Sequence, residues 1–356
     1  MTWNAAEIRE QIVSWTANRR GVSRLYEALA SGMMEDEDLL QILAEAPEPT
    51  LFCNRFFGAV HYLLLQGVPG DLAAFYATVQ TSPRPPAAAY PSFRQFCLDN
   101  LEAILAIIGE REIQISDVRR SAVLLPAIIE VSARESGRQL ALIDVGACAG
   151  FNLNFDRYHY DYGVHGRIGD RRAAIQLRCE FRGARKFELP TAIPPIGARL
   201  GIDSEPVDPA DVSACNWMMA LISPDDDTRL QYLRAALAET RACPPPILKG
   251  TAGDLLKIAM SNMDPQMNLC VMHTMTSHHF TPDERRAVDD ALAETSLRRT
   301  VHVVSLEWAV QDGHPDPTVP LVLELETWRV GYARRQTLGS SDNRGVGAWL
   351  EWGGCP

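Results

Sequence analysis

The feature that most constrains the fold is a short, largely apolar run, Leu140 to Val145, which a glycine turn follows at once. A short apolar run that ends in glycine is typical of a strand buried on both faces of a parallel sheet. After it, strand-like runs alternate with helical patterns. Strands are predicted at 199–202, 247–248, 268–273 and 301–306, and helices at 228–240 and 282–295. This alternation predicts a doubly wound α/β sheet.

The residues on either side of this alternation follow other patterns. From residue 4 to about 137, apolar residues recur every three or four positions, as on one face of a helix. Near the other end, the runs at 321–328, 332–337 and 348–352 have no helix between them, which predicts an antiparallel end to the sheet. The alternating segment 175–182 predicts an inserted hairpin around 170–190. We therefore predict an all-helical domain over residues 1–115 and an α/β domain over residues 116–356.

The charge balance bears on the partners of the protein. Acidic residues number 45 and basic residues 34, so the net charge is −11. Because this charge repels phosphate backbones and anionic lipid, we expect no nucleic-acid partner. The most basic stretch, Arg182 to Lys186 with Arg167, Arg171 and Arg172 nearby, is interpreted as a solvated loop or hairpin face. No run reaches the roughly 18 apolar residues of a membrane helix, so no membrane partner is expected.

The cysteines indicate the compartment. The chain has eight of them, and no two form a C-x-x-C pair. Most lie inside apolar runs, where a reduced cysteine packs as a small hydrophobic residue. This pattern favours a reducing, cytoplasmic environment and predicts neither a disulfide framework nor a structural metal site.

The turn after the first strand is the candidate ligand site. In an open parallel sheet, ligands bind beyond the carboxyl ends of the strands, where the strand order reverses. Here Asp144 places a carboxylate at the strand tip, and Gly146 and Gly150 permit a tight turn with close backbone approach to a ligand. The dinucleotide pattern G-x-G-x-x-G is absent, because position 148 is cysteine and the third glycine is missing. A phosphate-binding loop is absent as well.

This segment resembles the first motif of class I S-adenosylmethionine-dependent methyltransferases, with Cys148 in place of the middle glycine. The resemblance implies a Rossmann-like fold that binds S-adenosylmethionine through Asp144, Gly146, Cys148 and Gly150. It further implies that Asp203 holds the ribose hydroxyls and that Asp254 lies near the adenine. Asp203 follows Asp144 by 59 residues, against about 20 in a compact dinucleotide fold. Glu180 is therefore a second candidate for the ribose.

Two residues at later strand tips are candidates for the acceptor side. His273 ends the predicted fourth strand and Glu307 follows the fifth. A neutral imidazole, with an unperturbed pKa near about 6.5, can deprotonate a hydroxyl or an amine. We therefore predict methyl transfer to a small polar acceptor, with His273 and Glu307 as the catalytic residues. A histidine that only binds neighbouring backbone is the alternative for His273.

Two other functions use the same residues. A non-catalytic nucleotide- or metabolite-binding protein on this fold is the first, because Met272 to Met275 lack the Asp/Asn-Pro-Pro-Tyr motif of amino-group methyltransferases. A cysteine hydrolase is the second, because residues 146–150 have the spacing of a nucleophile elbow, with Cys148 as nucleophile and His302 or His314 as base. The hydrolase is disfavoured, since an elbow follows several strands and here only helices are predicted before Leu140.

The whole chain also resembles a bacterial family known as domain of unknown function 2332. The segments that carry this resemblance are 93–97, 117–120, 124–126, 146–152, 156–158, 161–163, 177–180 and 349–352. The family name implies no activity, so the function must be argued from the site.

Overall fold

A computed structural model describes residues 4–17, 21–44, 52–135, 138–183, 187–311 and 314–353. Most of the helices precede the first strand. Helices α1 to α7 span Ala5–Ala17, Arg24–Glu35, Glu37–Ala44, Phe52–Leu65, Tyr90–Asp99, Leu101–Glu110 and Ser121–Arg134. Helices α8 to α11 span Val212–Ala220, Asp227–Ala242, Ala252–Ser261 and Pro282–Ser296. Side-chain oxygens of Ser23, Thr251 and Thr281 accept backbone N–H groups at the starts of α2, α10 and α11, which fixes where those helices begin.

The strands begin at residue 140. Strands β1 to β7 span Leu140–Val145, His159–Asp161, Arg167–Ile168, Gln176–Arg178, Glu180–Arg182, Ile196–Asp203 and Ile247–Lys249. Strands β8 to β14 span Asn268–Thr274, Val301–Trp308, Val310–Gln311, His314–Pro315, Leu321–Arg329, Tyr332–Ser341 and Trp349–Trp352. The predicted first strand therefore has the bounds of β1, and the other predicted strands of the sheet lie within β6, β7, β8 and β9.

The chain divides into two compact units, Met1–Ile115 with Ala210–Leu233, and Ser116–Pro209 with Arg234–Pro356. In the first unit, an aromatic core includes a stack of Trp15 on Phe57, with ring centroids 4.8 Å apart. Helix α8 packs on α4, and the indole N–H of Trp217 donates to the carbonyl of Glu112 at 2.7 Å. Residues 210–233, which the sequence groups with the second domain, are thus part of the first unit.

The second unit is built on a nine-stranded sheet. Its order is β5-β14-β13-β12-β9-β8-β1-β6-β7. The five strands from β9 to β7 are parallel, whereas β12 runs antiparallel to β9, β13 to β12 and β14 to β13. Helices α10 and α11 cover one face around Ile143 and Val145, and α7 contacts β8, β9 and β12. This confirms the predicted α/β class, the antiparallel end and the preceding helical region.

The predicted hairpin around 170–190 is not formed by the described residues. Strand β4 pairs in parallel with β2 in a separate three-stranded sheet, β3-β2-β4, whereas β5 pairs in parallel with β14 at the edge of the main sheet. The alternating segment is therefore shared between two sheets, and residues 184–186 of the basic run lie outside the described part of the chain.

The described residues do not meet the requirements of a membrane helix, a disulfide bond or a metal site. In those parts of the chain, no helix combines the length and the apolarity needed to cross a bilayer. The seven cysteines that the structure describes are free thiols, and Cys355 lies outside the described residues. Nowhere in the described ranges do three histidine, cysteine or acidic side chains converge as they would to hold a metal ion.

Candidate functional site

The candidate site lies at the carboxyl edge of the parallel strands. Strand β1 has β6 on one side and β8 on the other, so the strand order reverses beside it. An open α/β sheet binds ligands in the crevice at such a reversal. The register aligns Val145 with Ile202 of β6 and with His273 of β8. The tips of these strands therefore meet at one edge.

The turn after β1 uses left-handed backbone at three positions. Gly146, Cys148 and Gly150 have φ of 77°, 52° and 81°. Because Cys148 carries a Cβ, its left-handed backbone conformation is strained by about 1–3 kcal/mol. Its backbone N–H donates to Asp203 Oδ2 at 2.7 Å, and the N–H of Gly146 donates to the carbonyl of Ile202 at 2.8 Å. Asp203, the last residue of β6, thus locks the turn onto the neighbouring strand.

The two glycines of the turn are required by contacts within the protein. A Cβ on Gly146 would lie 2.3 Å from Thr276 Oγ1, and one on Gly150 would lie 2.4 Å from Pro245 Cγ. The sequence predicted that these glycines allow close approach to a ligand. In the structure, the side on which a Cβ would lie is occupied by a neighbouring side chain of the protein. Thr276 belongs to the loop after β8, so the turn after β1 and this loop pack directly against each other.

Asp144 is buried without a hydrogen-bond partner. Only 1% of the residue is exposed, and neither carboxylate oxygen is hydrogen-bonded by any described residue. Burial and the charge of Asp203 raise the pKa of Asp144 well above its usual range, although Arg120 and Asn152 act in the opposite direction. A buried carboxylate without partners is costly unless it is neutral or finds a partner. Both carboxylate oxygens of Asp144 therefore keep their capacity to accept hydrogen bonds with respect to the described residues.

His273 and Glu307 form a dyad on the tips of β8 and β9. The Nδ1 of His273 lies 2.6 Å from Glu307 Oε1. Backbone N–H groups of Thr276 and Ser277 donate to the same carboxylate at 3.0 and 3.2 Å. Burial disfavours ionisation of Glu307, but the bonds from His273 and the backbone hold its pKa well below the usual range. Because the ionised carboxylate only accepts, Nδ1 carries a proton, and in a neutral imidazole Nε2 is then the acceptor.

Aromatic rings lie beside this dyad. The ring of His278 is 3.9 Å from that of His279 and 4.7 Å from that of Trp308, centroid to centroid. The Nδ1 of His278 approaches Glu307 Oε2 to 3.8 Å, which is an electrostatic contact and too long for a hydrogen bond. This end of the candidate site is therefore lined by imidazole and indole rings next to one carboxylate.

Comparison with known proteins identifies the family of the chain. Residues 10–352 match a family described as an uncharacterized protein conserved in bacteria, DUF2332. The chain belongs to this family. Among curated proteins, none matches the sequence of this DUF2332 chain.

Two solved structures resemble the DUF2332 chain at low similarity. One is DesVI of Streptomyces venezuelae, at 11% identity and a TM-score of 0.23, which covers 65% of this chain and 80% of the other. The second is the sugar N-methyltransferase KedS8 of a Streptoalloteichus species, at 14% identity and a TM-score of 0.23, with 65% and 76% covered. At these TM-scores neither likeness carries an argument about this protein.

The predicted cofactor acids of the DUF2332 chain differ in their surroundings. Asp203 ends β6, directly beside β1, as the resemblance implies for a ribose-binding acid. Its rival Glu180 lies on β5, six strand spacings from β1 and hence roughly 29 Å away. Asp254 lies in the first turn of α10, where its carboxylate accepts the hydroxyl of Thr251 at 2.7 Å. It is exposed, and its described bonds are those of a helix N-terminus.

The geometry argues against a cysteine nucleophile. Burial and the charge of Asp203 raise the pKa of Cys148 to about 12, so its thiolate is scarce near neutral pH. The candidate base His302 is buried near the start of β9, where it contacts Thr327 and Glu135. His314 lies in the β10-β11 hairpin. Neither histidine is bonded to Cys148, and the elbow follows the first strand rather than several.

The tyrosines after the turn have structural roles. The hydroxyls of Tyr158, Tyr160 and Tyr162 donate to backbone carbonyls of Phe151, Phe155 and Ala122 at 2.6–2.8 Å, and all three rings are buried. They fix the segment that follows the glycine turn.

The sequence does not identify Asn152 and Thr276, and for Arg120 it leaves open a contact with a carboxylate or an ordinary surface or ion-pair role. In the structure Arg120 is 4% exposed and donates to the carbonyl of Gly345 at 3.0 Å. Thr276 is placed by the packing of its loop on Gly146. No local sequence signal reveals these contacts, because each joins segments that are distant along the chain.

Proposed function

We propose that the protein binds S-adenosylmethionine at the carboxyl edge of β1 and β6 and transfers its methyl group to a small polar acceptor. The observation that carries the proposal is the buried carboxylate of Asp144, which accepts no hydrogen bond from the described residues, beside a left-handed turn that Asp203 holds in place. An orphaned acid at the reversal point of a parallel sheet is where a cationic ligand group gains most.

The residues of this edge fit such a cofactor. Each carboxylate oxygen of Asp203 accepts one backbone N–H, from Cys148 and from Glu205, which leaves a lone pair on each for a ribose hydroxyl. The cationic amino-acid end would favour ionisation of Asp144, whose pKa burial otherwise raises, and its carboxylate oxygens would then accept the ammonium group. When bound, S-adenosylmethionine supplies an electrophilic methyl group. Asp254 is proposed to accept the adenine amino group in place of its bond from Thr251.

His273 is proposed to remove the proton of the acceptor. Its Nε2 has no hydrogen-bond partner among the described residues, and Glu307 holds the ring with Nδ1 protonated. When Nε2 takes a proton from a hydroxyl or an amine, the ionised carboxylate of Glu307 stabilises the resulting imidazolium. General-base catalysis of this kind contributes about 10²–10⁴-fold in rate. Glu307 is thus a positioning residue for His273 in this scheme.

Calorimetric titration with S-adenosylhomocysteine tests the binding step. We expect saturable binding that Asp203→Asn weakens by about 1–3 kcal/mol, because an amide accepts ribose hydroxyls less well than a carboxylate. Glu205→Gln is the matched control, since this neighbouring acid pairs with Lys249 on the surface. Equal weakening by both variants, or absence of binding in the wild type, would refute the assignment.

A non-catalytic binding protein is the second candidate. The observation that favours it is the lack of the Asp/Asn-Pro-Pro-Tyr motif over Met272 to Met275. His273→Asn separates the two functions. For an enzyme, transfer of the methyl group to a panel of small amines and alcohols is lost while S-adenosylhomocysteine binding stays. For a binding protein, the wild type methylates none of them.

A further inference from the structure

The small three-stranded sheet presents a basic outer face that the proposed function does not use. Side chains of Tyr160, Ile168 and Leu177 point to the buried face of this sheet. In the cross-strand row beside them, Asp161 lies between Arg167 of β3 and Arg178 of β4. On the other side of the Tyr160 row, His159 pairs with Gln176. Because side chains alternate along a strand, these residues share the outer face.

This face carries more positive than negative charge. Three arginines line it, since Arg171 of the following loop joins Arg167 and Arg178, and Asp161 is the one acid among the lining residues. The Nε of Arg167 bonds Asp161 at 2.9 Å, and Asp161 also accepts the backbone N–H of Gly163. Among the residues that the structure describes, Arg171 and Arg178 form no ion pair. Arg171 and Arg178 are therefore not held in a close ion pair, although Arg178 lies within electrostatic reach of Asp161 and Glu180, in a chain of net charge −11.

The face is built as a pocket. The loop of residues 169–173 is held by the side-chain amide of Gln176, which donates to the carbonyls of Arg171 and Ala173 at 3.1 and 2.8 Å. His159 is buried, and its Nδ1 lies 3.4 Å from the carbonyl of Gly169, so Nε2 is available to the pocket. Gly169 has φ of 94°, and a Cβ there would meet the carbonyl oxygen of Tyr158 at 2.1 Å. The loop that carries Arg171 is thus fixed on the strands.

We propose that this pocket binds a small molecule through a phosphate group. Its volume is about 360 Å³, in the range of small-molecule sites. Guanidinium groups bind phosphate oxygens in pairs, and an imidazole with a free Nε2 adds a further hydrogen bond. The proposal is independent of methyl transfer, because none of these residues belongs to the carboxyl edge of β1, β6, β8 or β9.

A compact phosphate ligand fits better than a nucleic acid. A nucleic-acid surface needs basic residues that track several backbone phosphates. Here three arginines meet in one pocket, and the chain as a whole is acidic on balance. Phosphate is also preferred over a carboxylate, because its doubly charged form matches two unpaired guanidinium groups.

Titration of the purified full-length chain with pyrophosphate and with inorganic phosphate tests the proposal. We expect saturable binding in calorimetry and a rise in melting temperature. Arg178→Gln and Arg171→Gln should each weaken pyrophosphate binding about tenfold or more, since each removes an unpaired guanidinium. Arg172→Gln is the matched control, because this exposed neighbour of Arg171 does not line the pocket, and about twofold or less is expected for it.

Each competing outcome has its own measurement. All three arginine variants are exposed, and circular dichroism melts of each will report whether its fold is intact. The proposal is overturned if pyrophosphate fails to saturate, or if Arg172→Gln weakens it as much as Arg178→Gln does. Tighter binding of citrate would assign the pocket to a polycarboxylate. Tighter binding of a short oligothymidylate, lost in the same variants, would assign it to nucleic acid.

Discussion

Asp144 and Glu307 are two buried carboxylates at the same edge of one sheet, and they differ in how many hydrogen bonds they accept. Glu307 accepts bonds from His273 and from two backbone N–H groups. Asp144 accepts none from the described residues. The pKa of Glu307 is accordingly held low, whereas burial raises that of Asp144.

The difference separates a group that organises the site from one that waits for a ligand. A saturated carboxylate has little capacity left for an acceptor, so Glu307 orients His273 and the loop that follows β8. Asp144 has Arg120 and Asn152 nearby but accepts no hydrogen bond from the described residues, so it retains its acceptor capacity. The two ends of the proposed reaction are thus distinguished by hydrogen-bond saturation rather than by residue type. Four predictions test this comparison.

The largest effect is expected from Glu307→Ala. Removing this carboxylate leaves two backbone N–H groups and His273 without their acceptor, so the free energy of unfolding should fall by about 3–5 kcal/mol. Urea denaturation at neutral pH measures it. Glu324→Ala on β12 is the control, because this half-buried acid makes only long contacts, with Arg335 at 3.8 Å and with the Thr337 hydroxyl at 3.4 Å, and about 1 kcal/mol or less is expected. Similar losses in both variants would contradict the organising role of Glu307.

The next effect is a pH dependence of opposite sign for the two acids. An unfolded aspartate titrates near about 3.9, and the native pKa of Asp144 is higher, so stability falls as pH rises from there, by up to about 1.4 kcal/mol per unit. Asp144→Asn should remove this fall and be about 1–3 kcal/mol more stable than the wild type at pH 8.

Glu307 supplies the reverse case in the same measurement. Its lowered pKa stabilises the fold above about pH 4.3, and this contribution is lost as pH falls below that value. Glu307→Gln should therefore flatten the acid limb of the stability curve, whereas Asp144→Asn flattens the limb above it. A wild-type curve unchanged by Asp144→Asn would mean that Asp144 has a partner in solution.

A smaller effect is expected where the turn meets the loop after β8. Gly146→Ala adds a methyl group 2.3 Å from Thr276 Oγ1 and strains a φ of 77°, for a cost of about 1–2 kcal/mol. Thr276→Ala should relieve part of it, so the double variant loses less than the sum of the singles. Additive losses in this thermal-unfolding cycle would show that the two segments do not touch.

The smallest effect is expected at Cys148. Cys148→Gly trades relief of left-handed strain for the loss of a small buried side chain, so the free energy of unfolding should change by about 1 kcal/mol or less. Because the pKa of Cys148 is raised to about 12, iodoacetamide should alkylate it slowly at pH 7. Cys243, which is partly exposed, is the internal control in mass spectrometry. Faster labelling of Cys148 would revive a nucleophilic role.

The predictable parts of the fold are those with a local cause. β1 and the strands that became β8 and β9 are visible as apolar runs bounded by turns, and α11 begins at the capped Pro282. The hairpin around 170–190 was predicted wrongly. An alternating run indicates that a segment is extended, but it does not indicate which strand the segment pairs with. Likewise, the helical pattern of α8 does not say that it packs in the first unit.

The positions of the site residues could be predicted from the sequence, but their hydrogen bonds could not. The acids Asp144 and Asp203 could be placed at strand tips from order alone. In the structure, Asp203 accepts the N–H of Cys148, 55 residues away along the chain, because the turn is left-handed, and Asp144 accepts no bond from the described residues. The dyad of His273 and Glu307 likewise depends on the turn at Met275, whose φ is 50°.

The pairing of β5 with β14 has a consequence for synthesis. Trp349 is made 169 residues after Glu180, which at 5–20 residues per second is roughly 8–34 s of translation. β4 can pair early with β2, whereas β5 stays an open edge for this time. Its exposed Glu180 and Arg182 are the kind of charged residues that discourage association with other chains. In the folded sheet β5 is an outermost strand, so the same charged residues also lie at the outer edge of the sheet.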